Sequence, residues 1–167
     1  NFPVLQKTVA YARRRAAEER KTISFSLTTN ATLLKPEIIQ WLADNDVGVT
    51  VSIDGPKPVQ DGLRVFHNGR GTYDVVLPKI KELIATHRSR PIGARVTLTQ
   101  KHLNVIEIYR HLTDELGFKE VGLAPVTTKD HRDYAITPES KDSMLEQFKE
   151  LAEEWLQHAL RDEHHGF

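Results

Sequence analysis

Four stretches of this sequence have the pattern of β-strands, and helical patterns separate them. Strands are predicted at residues 23–29, 47–52, 94–99 and 121–126. Apolar residues at helical spacing predict helices over 3–19 and after Pro36, Thr72, Asn104 and Thr137. Strands that alternate with helices are joined by right-handed crossovers into a parallel sheet. The sequence therefore predicts an α/β fold.

Three of these strands alternate apolar residues with small or polar ones, whereas strands covered on both faces usually read as continuous apolar runs. The alternation indicates that one face packs on helices and the other lines an open lumen. Four strands are too few to close a barrel, and the first would present an unpaired edge. We expect residues 1–167 to form a single domain that is the middle of a larger α/β barrel.

Local signals predict where several helices begin and which face they bury. Thr72 and Asn104 are suitable capping residues, while Pro78 predicts a late start or a kink in the third helix. Residues 54–71 are rich in glycine and proline and are predicted to be a loop. The last helix has a predicted apolar stripe of Leu145, Phe148, Leu151, Ala152, Trp155, Leu156 and Leu160.

Charge and composition exclude several classes of protein. Lysine plus arginine and aspartate plus glutamate both number 23, so no basic excess points to nucleic acid. No apolar run approaches the roughly 20 residues that span a bilayer. Cysteine is absent, which excludes disulfides and thiolate ligands within this chain. Because the first residue is Asn1 and no signal peptide is visible, we expect a piece of a longer or processed cytoplasmic protein.

Polar residues follow the predicted strands at the end where parallel α/β folds bind ligands. Asn30 follows the first strand, Ser52 and Asp54 lie at the end of the second, and Thr97 lies near the end of the third. These positions predict a polar rim with one carboxylate. The alternative is that Asn30, Asp54 and Gly55 only form turns.

Arg95 is the most informative single residue, because it lies in the middle of a strand on the polar face. Burying a guanidinium is costly unless a carboxylate or phosphate pairs with it. Asp54 and a ligand carboxylate are both candidate partners. An internal pair, or a place at a sheet edge, is the structural alternative.

Two weaker patterns carry less information. Gly69 and Gly71 lack the surroundings of a phosphate-binding loop and are interpreted as a turn. A polar cluster near the end of the chain could hold a metal ion, but we interpret it as a frayed helix end and predict no metal ligands. The cluster consists of His158, Asp162, Glu163, His164 and His165.

The first predicted strand ends in Thr29-Asn30-Ala31-Thr32, and the second ends in Ser52-Ile53-Asp54-Gly55-Pro56. These two blocks resemble radical S-adenosylmethionine enzymes with a C-terminal twitch or SPASM extension, such as sulfatase maturases and other peptide maturases. In that family one strand ends in Thr-Asn-Gly-Thr, and the next ends in Ser-x-Asp-Gly-Pro before an Asp, an Arg and a Gly-x-Gly-Thr-Tyr/Phe-Asp segment. The strand 94–99 and the stretch 118–126 look most similar to maturases of the quinohemoprotein amine dehydrogenase type. The corresponding residues here are Thr29-Asn30-Ala31-Thr32, in which Ala31 replaces the family's glycine, Ser52-Ile53-Asp54-Gly55-Pro56, Asp61, Arg64 and Gly69-Arg70-Gly71-Thr72-Tyr73-Asp74.

This resemblance implies the central part of an open, six-stranded (β/α)6 partial TIM-like barrel. It also implies reductive cleavage of S-adenosylmethionine to a 5′-deoxyadenosyl radical, which abstracts hydrogen from a peptide. By the same resemblance, Ser52 and Asp54 face the ribose or methionine end of the cofactor, and Arg64 and Arg95 lie near it. Asn30 and Thr97 line the substrate side of the lumen.

The family's Cys-x3-Cys-x2-Cys and Gly-Gly-Glu motifs are both absent here. The resemblance therefore implies that the [4Fe–4S] cluster is bound by the remainder of a parent chain, and that this chain alone is inactive. Two alternatives remain open. One is a fragment of another barrel enzyme, an aldolase or hydrolase, in which Arg95 binds a carboxylate or phosphate. The other is a non-enzymatic module that offers its unpaired strand edge to a partner.

Overall fold

A computed structural model describes residues 1–129 and 132–161. Strands and helices alternate as predicted, so the α/β class is confirmed. The strands are β1 (Phe25–Thr29), β2 (Val47–Ser52), β3 (Gly93–Leu98) and β4 (Glu120–Pro125). The helices are α1 (Phe2–Glu18), α2 (Pro36–Asp44), α3 (Lys57–Leu63), α4 (Tyr73–Thr86), α5 (Val105–Arg110) and α6 (Pro138–Leu160), and a π-helical turn (His111–Glu115) continues α5.

The sheet is parallel throughout, and its spatial order β1-β2-β3-β4 follows the chain. Its register places Thr28 beside Thr50, Ser52 beside Arg95, and Arg95 beside Gly122. We call the face that carries these residues the open face, since they are half-buried or exposed.

The opposite face of the sheet forms the core, as the strand alternation predicts. Val51 and Val96 are fully buried there, together with side chains from α2, α4 and α5. Burial of such apolar side chains contributes about 1.5–3 kcal/mol each and holds the helices on this face. The fully buried helical side chains include Leu42, Ile80, Leu83, Ile108 and Leu112.

Helix α3 differs from the prediction, because residues 54–71 were expected to be a loop throughout. Pro58 lies in the first turn of α3, where its missing N–H is not needed, and Gln60 is buried. Of the two outcomes predicted for Pro78, a late start or a kink, the late start is wrong, since α4 begins at Tyr73 and continues through Pro78. Burial of Ile80 and other α4 side chains offsets the hydrogen bond that Pro78 cannot donate.

Helix caps were predicted more accurately than buried faces. Asn104 caps α5 by accepting a hydrogen bond from the Glu107 amide, and a capping box starts α6. Thr72 precedes α4 as predicted, but its side chain does not cap that helix.

Helix α6 buries Met144 and Leu151, because it packs on α5 along one narrow stripe. Much of the predicted apolar stripe is therefore exposed, including Trp155 (41%) and Leu160 (72%). Over residues 1–129 and 132–161, no helix has the length and apolar character needed to cross a membrane.

Candidate functional site

A buried carboxylate lies just beyond the carboxyl end of β2. Asp54 is only 2% exposed. Its Oδ2 accepts a hydrogen bond from Arg64 Nε at 2.6 Å, and its Oδ1 accepts one from Arg64 Nη2 at 3.1 Å. The backbone amide of Thr97 donates to the same Oδ1 at 3.0 Å. This bidentate pair compensates the charge of Asp54, which would otherwise be costly to bury.

Two further residues close a ring of hydrogen bonds around this ion pair. Gln60 Oε1 accepts from the Asp54 amide at 2.8 Å, and Gln60 Nε2 donates to Thr72 Oγ1 at 3.0 Å. Thr72 Oγ1 in turn donates to the Arg64 carbonyl at 2.8 Å. We call Asp54, Gln60, Arg64 and Thr72 the Asp54 ring. It joins the end of β2, helix α3 and the start of α4 into one unit.

The start of α4 is fixed by a second carboxylate, Asp61. Its Oδ1 accepts a hydrogen bond from the Tyr73 amide at 2.8 Å, which places negative charge at the helix N-terminus. A Cβ atom on Gly71 would lie 2.1 Å from Asp61 Cγ, so a side chain at this position would displace the Asp61 carboxylate.

Tyr73 also ties α4 to the π-helical turn. Its hydroxyl lies 3.0 Å from His111 Nε2, and His111 Nδ1 lies 2.9 Å from Glu115. Burial, and then the nearby charge of Glu115, raises the pKa of Tyr73.

Asp54, one of the two candidate partners predicted for Arg95, is not its partner in the structure. Arg95 lies on the open face as expected, but it is exposed, and its guanidinium has no hydrogen bond or ion pair with any described residue. Arg64 takes its place as the partner of Asp54. The physical reason is helix α3: Gln60 in this helix accepts a hydrogen bond from the Asp54 amide, and Arg64 directly after the helix lies against the Asp54 carboxylate.

A cavity of about 380 Å³ lies beside Arg95 on the open face. Its volume lies within the roughly 300–1,000 Å³ of ordinary ligand pockets. Besides Arg95 it is lined by Thr50, Gly93, Glu120 and Gly122, among others. Glu120 is exposed and was missed, because the strand was predicted to begin one residue later. The strand alternation, extended back by one residue, places Glu120 on the same face as Gly122.

Asn30 and Thr32 form a turn at the end of β1. Asn30 Oδ1 accepts hydrogen bonds from the Thr32 amide at 3.2 Å and from the Thr32 hydroxyl at 2.8 Å. Between them Ala31 is fully buried and has φ = 61°, a left-handed conformation that favours glycine. Asn30 is thus a turn former, and it also lines a second cavity of about 290 Å³ with Arg64 and Phe66.

The predicted site residues therefore fall into two groups. Ser52, Arg95 and Thr97 lie on the open face, and the register places Ser52 and Arg95 side by side. Asp54 and Arg64 belong to the Asp54 ring, and Asn30 shares a cavity with Arg64.

Within the described part of the chain, no group of three or more His, Cys, Asp or Glu side chains could hold a metal ion. Asp162, Glu163, His164 and His165 of the predicted polar cluster lie outside the described residues. Since the sequence has no cysteine, a thiolate-ligated iron–sulfur cluster does not fit this chain.

Comparison with solved structures gives a consistent result. The anaerobic sulfatase-maturating enzyme anSMEcpe, a radical S-adenosylmethionine enzyme, superposes with a TM-score of 0.80 and 21% identity over 97% of this chain and 44% of its own. That structure contains bound AdoMet and the Kp18Cys peptide. A second structure of the same enzyme, with AdoMet and the Cp18Cys peptide, gives a TM-score of 0.78 with 21% identity over 95% of this chain and 44% of its own. The chain has a radical SAM-like fold.

Sequence comparison adds a distant relative. Uncharacterized protein MJ0907 of Methanocaldococcus jannaschii is 26% identical over 152 residues, which are 90% of this chain and 49% of that protein. No protein-family model matches the chain. The chain thus spans about half the length of the curated relative and less than half of the solved sulfatase-maturating enzyme. The order of strands and helices matches a partial radical SAM barrel, which confirms the predicted fold class.

Proposed function

We propose that this chain is the cofactor-binding part of a radical S-adenosylmethionine peptide maturase of the twitch or SPASM type. Ser52 and Arg95 lie side by side on neighbouring strands of the open face, and Arg95 is exposed and has no hydrogen bond or ion pair with a described residue. This observation carries the proposal. Arg64 supplies a second guanidinium at the carboxyl ends of the strands. The fold similarity to an enzyme solved with AdoMet supports this assignment.

The chemistry of these residues fits S-adenosylmethionine, which carries a carboxylate, an ammonium group and ribose hydroxyls. Arg95 has all its donors available for a carboxylate, and a guanidinium binds that group with two parallel hydrogen bonds. The Ser52 hydroxyl has no hydrogen bond to a described residue and can donate or accept one with a ligand oxygen. Glu120, which lines the cavity together with Arg95, supplies negative charge for a cationic group.

When bound and reductively cleaved, S-adenosylmethionine supplies a 5′-deoxyadenosyl radical that abstracts a hydrogen atom from a peptide. This chain's residues bind and orient: Ser52, Arg64 and Arg95 hold the cofactor, while Asn30 and Thr97 line the peptide side. The peptides bound to the sulfatase-maturating enzyme support a peptide partner. The [4Fe–4S] cluster belongs to the remainder of a cytoplasmic parent chain, and this part alone is inactive.

The test is equilibrium binding of S-adenosylmethionine to the anaerobic, cluster-loaded parent enzyme. Hydrogen bonds to charged groups contribute about 1.5–3 kcal/mol, so Arg95→Met is expected to weaken binding by roughly 10-fold or more. Arg95→Lys recovers only part of the affinity, because a point charge does not reproduce the planar fork. Circular dichroism checks that each variant is folded.

Arg88→Met is the matched control, because Arg88 is an exposed arginine whose side chain bonds the Ala85 carbonyl at the end of α4. It is expected to leave cofactor binding unchanged. Equal affinity of folded Arg95→Met and the wild type would contradict the proposal.

A further inference from the structure

Both carboxylate oxygens of Asp54 are already engaged by the protein. Oδ2 accepts from Arg64 Nε, and Oδ1 accepts from both Arg64 Nη2 and the Thr97 amide. With 2% of the residue exposed, a ligand cannot reach this carboxylate without displacing one of these donors. Asp54 is therefore poorly suited to contact a cofactor directly.

Arg64, in contrast to Asp54, is accessible to a ligand. Its side chain is 29% exposed, and only Nε and Nη2 are used for Asp54. Nη1 donates no hydrogen bond to a described residue, and the side chain lines the cavity that it shares with Asn30 and Phe66. A guanidinium held through one edge leaves the remaining donor available to a ligand.

We infer that Asp54 is a positioning residue that holds Arg64 in its ligand-binding orientation, and that Arg64 Nη1 makes the cofactor contact. The inference rests on the proposed function and revises the role expected for Asp54 from the resemblance. Its basis is the Asp54 ring, which fixes both the backbone and the side chain of Arg64. An arginine ordered before the ligand arrives loses less side-chain freedom on binding, which favours affinity.

The ring also explains why these residues occur together in the sequence. Gln60 anchors the Asp54 amide, and Thr72 anchors both Gln60 and the Arg64 carbonyl. Gln60 and Thr72 line the same cavity as Arg64, but they are buried, whereas the Arg64 side chain is partly exposed and has an unused donor.

A double-mutant cycle in the cluster-loaded parent enzyme tests the inference, with equilibrium binding of S-adenosylmethionine as the readout. Arg64→Gln and Asp54→Asn are each expected to weaken binding by about tenfold, a difference of about 1.4 kcal/mol. If Asp54 acts only through Arg64, the double variant binds no more weakly than Arg64→Gln alone, because coupled residues are not additive. A double variant weakened by about a hundredfold, the product of the single effects, would overturn the inference.

The control is Asp46→Asn. Asp46 forms an equivalent bidentate pair with Arg90, at 2.9 and 2.6 Å, but it precedes β2 and so lies at the opposite end of that strand from Asp54. It is expected to leave cofactor affinity unchanged. Melting temperatures of all variants separate a binding defect from a loss of structure.

Thr72→Val provides a second test if Asp54→Asn does not fold. It removes the hydroxyl that links Gln60 to the Arg64 carbonyl while leaving every charge in place. Weaker cofactor binding by a folded Thr72→Val enzyme supports positioning, and unchanged binding overturns it. If Arg64→Gln binds S-adenosylmethionine normally, the inference about Asp54 and Arg64 fails. The proposed function is tested separately, by Arg95→Met, and fails if that variant binds normally.

Discussion

Gly71→Ala is predicted to destabilise the chain because Gly71 faces the side chain of Asp61. An alanine Cβ would lie 2.1 Å from Asp61 Cγ and 2.3 Å from its Oδ2, so the carboxylate must move away. The Tyr73 amide then loses its acceptor, and the N-terminus of α4 loses a nearby negative charge.

The expected magnitude follows from these two losses. An unsatisfied buried N–H costs about 1–3 kcal/mol, and a charge at a helix N-terminus contributes about 0.3–1 kcal/mol. Together they amount to about 1–4 kcal/mol, and for a chain of this size the melting temperature falls by roughly 3–15 °C. Thermal and urea unfolding followed by circular dichroism measure the change.

Gly122→Ala is the matched control. Among the described residues, a Cβ there meets only the Ala94 carbonyl, at 3.8 Å, which is an ordinary van der Waals contact. Its effect on the free energy of unfolding should be within about 0.5 kcal/mol.

Asp61→Ala completes a double-mutant cycle. Once the Asp61 carboxylate is gone, adding Gly71→Ala should cost little more, so the two effects should be strongly non-additive. Additive effects, or a Gly71→Ala variant as stable as Gly122→Ala, would refute the steric argument.

The remaining predictions concern alkaline stability and iron. Burial, and then the charge of Glu154, raises the pKa of Tyr109 to about 12. The unfolded tyrosine loses its proton near pH 10 and the folded one only near pH 12. The contribution of this difference to the free energy of unfolding is therefore present in full below pH 10 and is lost between pH 10 and 12. The midpoint of urea unfolding should therefore fall between pH 10 and 12, and it should fall less steeply in Tyr109→Phe. Equal pH dependence of the midpoint in the two proteins would contradict the assignment of this loss to Tyr109. Anaerobic reconstitution of this chain alone should leave negligible bound iron and sulfide, because it has no thiolate ligands; a stable four-iron cluster would contradict this.

Much of the architecture could be predicted from the sequence, because periodicity and capping are local properties of a chain. The two-residue alternation in β2 and β3 correctly placed Ser52 and Arg95 on one face of a parallel sheet. The cap at Asn104 could also be predicted, because it forms between the Asn104 side chain and the backbone amide of Glu107, only three residues later.

Which groups meet across the fold was decided only by the tertiary structure. The spacing of residues in the sequence does not distinguish Arg64 from Arg95 as the partner of Asp54. In the structure, helix α3 places Arg64 against Asp54. The apolar stripe of α6 likewise did not reveal which side faces α5, so Met144 is buried while Leu156 is exposed. Both outcomes depend on how separate elements pack, and a residue pattern within one element carries no information about the neighbour that will cover it.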